Sequence, residues 1–263
     1  MISRFRALLG LDSPKEEEAP PGRQRLTLPS FPAAIYAVGD IHGCVNQLQR
    51  LQDIILANGD SIPGEKLIIM LGDYTDRGPD SAATLDFLMA PLPEDFRRIC
   101  LAGNHDEMML AHAENPQFAE WLDFGGLETL QSYGIAADIY RAASLRQRMA
   151  LISSHIPEVH LDFLANLPVV ISAPGVVFSH AGIRPDMPLA SQDDADLMWP
   201  AHDFEASAYE GLPLVVHGHT PFPSPVVQPH RICVDTGCFA TGVLTAVRLQ
   251  QDQKPSLLNV GTR

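Results

Sequence analysis

The chain of 263 residues carries 32 acidic and 18 basic side chains, for a formal net charge of −14, and is 46% hydrophobic. That hydrophobic share excludes wholesale disorder and allows a sizeable core in one or two domains. The acid excess excludes the basic footprint of a nucleic-acid binder, and no apolar run approaches the roughly 18–20 residues of a membrane span. Four cysteines (Cys44, Cys100, Cys233, Cys238) without a CxxC pair form neither a disulfide framework nor a structural zinc site. They read as the free thiols of a cytoplasmic protein.

Residues 1–30 are expected to be a flexible tail. MISRFRALLG would make a short amphipathic turn, and DSPKEEEAPPGRQ is too rich in proline and charge to bury itself. The segment has neither the apolar core nor the cleavage site of a secretory signal. From Phe31 onward the pattern is that of a packed domain. Ala33–Val38 is an apolar strand ending in Gly39-Asp40. Val45–Ala57 places Leu48, Leu51, Ile55 and Leu56 at helical spacing, and Lys66–Leu71 is a second strand, again ending in Gly-Asp. Ser81 can cap a helix running to Met89, and Arg97–Leu101 is a third strand ending in Ala-Gly-Asn. Strand–helix–strand–helix–strand is the signature of α/β architecture, in which ligands gather beyond the carboxyl ends of the strands.

The stretch from about 106 to 166 predicts helices at Pro116–Trp121, Leu127–Tyr133, Ser144–Ser153 and Pro157–Leu167, an insertion placed to cap a site. Strand signals return at Val169–Ser172, Val176–Ser179, Leu214–His217, Arg231–Asp235 and Val243–Leu249. Their close spacing and Gly/Pro turns predict hairpins rather than crossovers.

Five segments follow apolar runs and set Asp, His or Asn beside glycine. They are Gly39-Asp40-Ile41-His42-Gly43, Gly72-Asp73-Tyr74-Thr75-Asp76-Arg77-Gly78, Gly103-Asn104-His105-Asp106, Ser179-His180-Ala181-Gly182 and His217-Gly218-His219-Thr220. One Gly-Asp after a strand is ordinarily just a turn. Five such segments at successive strand ends call for a common cause. Oxygen and imidazole donors without thiolate suit manganese, iron or zinc. Six donors fit two ions, with a carboxylate such as Asp73 bridging them at the ~3.5–4 Å used for displacement at phosphorus.

In this order the motifs resemble the PPP family of calcineurin-like metallophosphoesterases in its bacterial form, from Asp40 to about Gly242. The resemblance implies an α/β (α+β) fold, a central β-sandwich of two mixed sheets flanked by helices, with a dinuclear metal site at the strand ends. Residues 31–263 would then be one catalytic domain. It implies Asp40, His42, Asp73, Asn104, His180 and His219 as ligands of two divalent ions, manganese first, with iron or zinc as alternatives. His217 would stand behind them at its strand end. His105 would protonate the leaving oxygen, oriented by Asp76, and Arg77 and Asn104 would hold the phosphoryl group; the nucleophile would be a hydroxide between the metals.

Relatives carry a second phosphate-binding arginine between the last two histidine motifs, often after a tryptophan. Here Trp199 is followed by Pro200-Ala201-His202, and Arg184 is the one Lys or Arg between His180 and His219. Either Arg184 supplies the clamp, His202 partly substitutes, or the clamp is weaker.

The leading expectation is a metal-dependent phosphomonoesterase of the serine/threonine protein phosphatase type, acting on a phosphorylated protein or a small phosphoester. The alternative is a diadenosine tetraphosphate hydrolase of the same family. Those relatives usually carry alanine where this chain has Asp76, which weighs toward the monoesterase. A catalytically silent metal-binding module is the reading outside enzymology.

Overall fold

The computed structural model describes residues 22–199 and 209–261. The chain enters the fold through β1 (Arg25–Thr27), then β2 (Ala34–Val38), α1 (Val45–Gly59), β3 (Lys66–Met70), α2 (Ser81–Met89) and β4 (Phe96–Cys100). Helices α3 (Asn104–Glu114), α4 (Leu127–Ser132), α5 (Ala137–Ala142), α6 (Leu145–His155) and α7 (Glu158–Ala165) form the insertion. β5 (Val170–Ala173), β6 (Val176–Ser179), α8 (Asp194–Met198), β7 (Leu214–His217), β8 (Val226–Gln228), β9 (Arg231–Cys233), α9 (Cys238–Thr241), β10 (Leu244–Leu249) and β11 (Ser256–Val260) complete it.

The strands form two mixed sheets, ordered β1-β5-β6-β7-β9-β8 and β11-β10-β2-β3-β4. Between them lies an apolar layer. Ile35, Ala37, Leu67 and Ile69 face it from one sheet, and Phe178, Val216 and Ile232 from the other. The alternate residues Tyr36, Val38, Ile68 and Met70 turn outward and pack with Leu48, Leu51 and Ile55 of α1 and Leu85 and Leu88 of α2. Because both faces of β2 and β3 are covered, their sequences, after Lys66 at the start of β3, are continuous apolar runs rather than alternating ones. The result is a β-sandwich of two mixed sheets flanked by helices, as the sequence motifs led one to expect.

The structure corrects the sequence reading in several places. Arg25–Thr27, which the sequence places in the tail, pairs in parallel with β5. Arg23 before it is anchored too. Its guanidinium donates to the carbonyls of Leu164, Ala165 and Leu167 and pairs with Glu107. A cation there satisfies the free carbonyls at the C-terminus of α7. Pro116–Trp121 is not the expected helix. Residues 116–119 turn, and helix begins only at Glu120-Trp121, passing at once into a π-helical turn, Leu122–Gly126, broken by Gly125 at φ 106°.

Hairpins do join β5 to β6 and β8 to β9, but β6, β7 and β9 run parallel to one another. The connections 180–213 and 218–230 are long enough to carry the chain back to the starting edge, so spacing alone misleads there. The consequence is functional. β2, β3 and β4 in one sheet and β6, β7 and β9 in the other present their carboxyl ends on the same edge of the sandwich.

Candidate active site

Each of those six strand ends delivers polar side chains. β2 is followed by Asp40 and His42, β3 by Asp73, Asp76 and Arg77, and β4 by Asn104 and His105. β6 is followed by His180, β7 by His219 and β9 by Asp235. The backbone bends hard to turn them inward. His42, Asp73, Asp76, Arg77 and His219 have φ between 47° and 73°, and among the described residues just one other non-glycine, Asp252, has positive φ. Such strain concentrates at functional sites and persists only where the surroundings enforce it. Glycine permits the closest approaches. A Cβ on Gly103 would lie 2.2 Å from Asp73 Oδ1, and one on Gly218 would lie 2.0 Å from Asp40 Oδ1.

Two groups of donors converge on Asp73: His42 with His105, and His180 with His219. Asp73 Oδ2 lies 3.6 Å from His42 Nε2 and 3.4 Å from His180 Nε2. Asn104 Oδ1 is 2.9 Å from both His180 Nε2 and His219 Nδ1. The imidazole tautomers are set from behind. His42 Nδ1–H donates to Thr75 O at 2.7 Å and His180 Nδ1–H to Leu71 O at 2.9 Å. Each Nε2 therefore offers a lone pair to the shared space, the arrangement by which proteins orient metal-binding histidines. Burial drives His42 and His219 down to about 3 and lowers His180 as well, so these rings are neutral at physiological pH, as ligands must be.

The carboxylates have the complementary problem. Asp40 is raised well above the usual range by burial and by the charges of Asp235 and Asp73. Burial likewise lifts Asp235 to about 6. Burial would raise Asp73 too, but His180, His105 and His42 hold it low. Asp40 accepts the His219 backbone N–H at 3.0 and 3.1 Å and shares a hydrogen bond with Asp235. Crowded buried carboxylates beside neutral imidazoles and an amide oxygen are a donor set that divalent cations relieve, and it fits manganese, iron or zinc.

His105 differs from the other rings. Burial alone would lower it, but the carboxylates of Asp73 and Asp76 outweigh burial and raise it. Its Nδ1–H donates to Asp76 Oδ2 at 2.8 Å. Asp76 is itself fixed by Trp121 Nε1 at 2.9 and 3.0 Å and by Thr129 Oγ1 at 2.7 Å. Trp121 and Thr129 belong to the insertion, so that region braces the Asp76–His105 pair.

A model of the calcineurin-like phosphoesterase family matches residues 33–255. The chain belongs to that family. It is 26% identical over 242 residues to an asymmetrical bis(5'-nucleosyl)-tetraphosphatase, PrpE, of Bacillus thuringiensis, spanning 84% of this chain and 92% of that one. Its fold resembles that of a provisionally assigned diadenosine tetraphosphatase, with TM-score 0.64, 22% identity, and coverage of 91% of this chain and 99% of that one. It also resembles a serine/threonine phosphatase of Saccharomyces cerevisiae, with TM-score 0.56, 15% identity, and coverage of 92% and 84%.

Within this metallophosphoesterase site Arg77 stands beside the donors. Nη1 donates to His42 Nε2 at 3.1 Å, and the guanidinium lies over the Phe239 ring at 5.0 Å. Arg184 is engaged elsewhere. It pairs with Asp186 at 3.0 Å and Asp196 at 3.9 Å, so its guanidinium is held by carboxylates rather than by the strand-end cluster. His202 lies outside the described residues. His217 is buried, bonded to Gly218 O and to Arg231 Nε, and driven to about 3 by burial.

Sequence reasoning gave no role to Asp106, Asp235, Trp121 or Thr129. Asp106 accepts the backbone N–H groups of Asp73, Tyr74 and Gly103 and so fixes the Asp73 turn. Asp235 had a signal. It follows an apolar run and precedes Thr236-Gly237, the same strand-end grammar as the other motifs.

Proposed function

We propose that this metallophosphoesterase hydrolyses dinucleoside tetraphosphates with two divalent cations bound, manganese foremost. Asp40, His42, Asp73, Asn104, His180 and His219 are the ligands in this reading. The observation that carries the substrate class is the near full-length match to the Bacillus tetraphosphatase. When bound, the cations would polarise phosphoryl oxygens and acidify a water. The chain's own residues supply the rest. Arg77 pairs with phosphoryl oxygens, a role suited to its planar fork. Asp76 holds the proton on His105 Nδ1, leaving Nε2–H to protonate the departing oxygen. Water adds to one phosphorus as its bridging P–O bond breaks, and asymmetrical cleavage leaves a nucleoside monophosphate and a nucleoside triphosphate.

One observation favours a second reading, a phosphomonoesterase of the protein phosphatase type. The raised pKa of His105 and its Asp76 brace suit a leaving group that needs a proton, such as a serine alkoxide. A nucleotide phosphate leaves more readily without one. The manganese-loaded protein should therefore be assayed with diadenosine tetraphosphate, a phosphoserine peptide and para-nitrophenyl phosphate. The expected result is the highest kcat/KM for the dinucleotide, with AMP and ATP as products. Preference for the peptide would replace this reading with the second. No turnover of any phosphoester with any divalent ion would leave a silent metal-binding module.

A further inference from the structure

Among the described residues two exposed phenylalanines flank the strand-end cluster, and nothing in the phosphoryl chemistry requires them. Phe239 is 39% exposed and Phe124 is 47% exposed. The rings run in a series. Phe239 lies 5.2 Å from His42, His42 lies 4.8 Å from His105, and His105 lies 6.4 Å from Phe124, centroid to centroid. The two phenylalanines thus end a series of rings whose middle members are the proposed ligand His42 and the proposed acid His105.

The segments that carry them are not loose. Phe124 sits in the π-helical turn, a feature found disproportionately at functional sites. The next residue, Gly125, accepts the Arg77 N–H at 3.2 Å, and a Cβ there would lie 2.5 Å from that nitrogen. Phe239 rides on α9, whose entry is set by Gly237 in the left-handed region, and the Gly237 N–H donates to Asp235. Arg77 touches both segments, the first through its N–H and the second through its guanidinium over the Phe239 ring. The proposed phosphoryl-holding residue therefore touches the ring of Phe239 and the backbone of the residue next to Phe124, and both rings are left open to solvent.

We infer that Phe124 and Phe239 are nucleobase platforms. They stack the purine or pyrimidine of a nucleotide whose phosphate chain lies along Arg77, and so select nucleotides over simple phosphoesters. This rests on the phosphohydrolase reading above and adds to it the recognition of the base. Stacking tolerates any base, because each presents a π face, and removing one aromatic partner typically weakens binding roughly 5- to 150-fold. A phosphoserine loop or an inorganic polyphosphate has no ring to set there.

The test compares AMP with ribose 5-phosphate, which has the same phosphate and sugar but no base, by calorimetric titration of the manganese-loaded full chain. Wild type should bind AMP at least about 5-fold more tightly. The double variant Phe124→Leu/Phe239→Leu keeps the apolar bulk and should lose that advantage. Phe124→Tyr/Phe239→Tyr keeps the aromatic faces and should retain it. Equal affinity for the two ligands in wild type overturns the inference, as does an AMP advantage that survives the leucine variant. An AMP advantage in a protein that fails to cleave the tetraphosphate would sink the substrate reading while supporting the platforms. Cleavage of the tetraphosphate without an AMP advantage would do the reverse.

Discussion

His105→Ala should lower kcat by about 100- to 10,000-fold on a substrate with a poor alkoxide leaving group, and far less on para-nitrophenyl phosphate. A general acid matters in proportion to the need of the departing oxygen for a proton, and para-nitrophenolate leaves without one. The same argument fixes the pH dependence. Because Asp73 and Asp76 raise His105 against the effect of burial, its acid form persists to higher pH than an ordinary imidazole. Activity of the wild type therefore falls on the alkaline side, with the limb displaced upward. His105→Ala should abolish that limb, and Asp76→Asn should bring it down. Steady-state rates across pH for the two substrates read both effects. An equal loss on both, with the limb unchanged, would assign His105 to metal binding instead, since it also lies in the cluster with His42 and Asp73.

Asp73→Asn should have the other large effect. Asp73 is the one carboxylate common to both donor clusters. The amide keeps the shape but removes the charge, and it sets N–H groups or a weaker donor against the lone pairs of His42 and His180. Metal affinity should fall by more than the 10- to 100-fold typical of residues that merely orient ligands, and turnover should fall with it. Metal titration followed by inductively coupled plasma measurement checks the first, and phosphate release the second. Circular dichroism separates this from misfolding. The backbone turn itself is held by Asp106, which bonds the Asp73 N–H and is untouched by the change.

How far the sequence spoke depends on what each residue does. β2-α1-β3-α2 was legible because strands covered on both faces are almost wholly apolar, and helices packed on them must be apolar on one side. β1 and β8 were not, because each has three residues at a sheet margin with no position fully buried. Parallel pairing among β6, β7 and β9 was hidden for another reason. Direction is decided by the path of the connections, which composition does not encode.

The strand-end motifs stood out because sharp turns require glycine next to the polar residue, and that pairing is local. Trp121 and Thr129 left no such mark. They reach Asp76 from 45 and 53 residues away, through a fold that had to exist first. Phe124 and Phe239 looked like ordinary apolar residues. Only their exposure at the rim of the site makes them informative.

The central claim is that two cations share Asp73 at the common edge of the two sheets. Anomalous diffraction from crystals grown with manganese tests it most directly. Two peaks per chain are expected about 3.5–4 Å apart, both within bonding distance of the Asp73 carboxylate, one beside His42 and the other beside Asn104, His180 and His219. A fully occupied crystal with one peak, or with peaks remote from Asp73, would contradict the account.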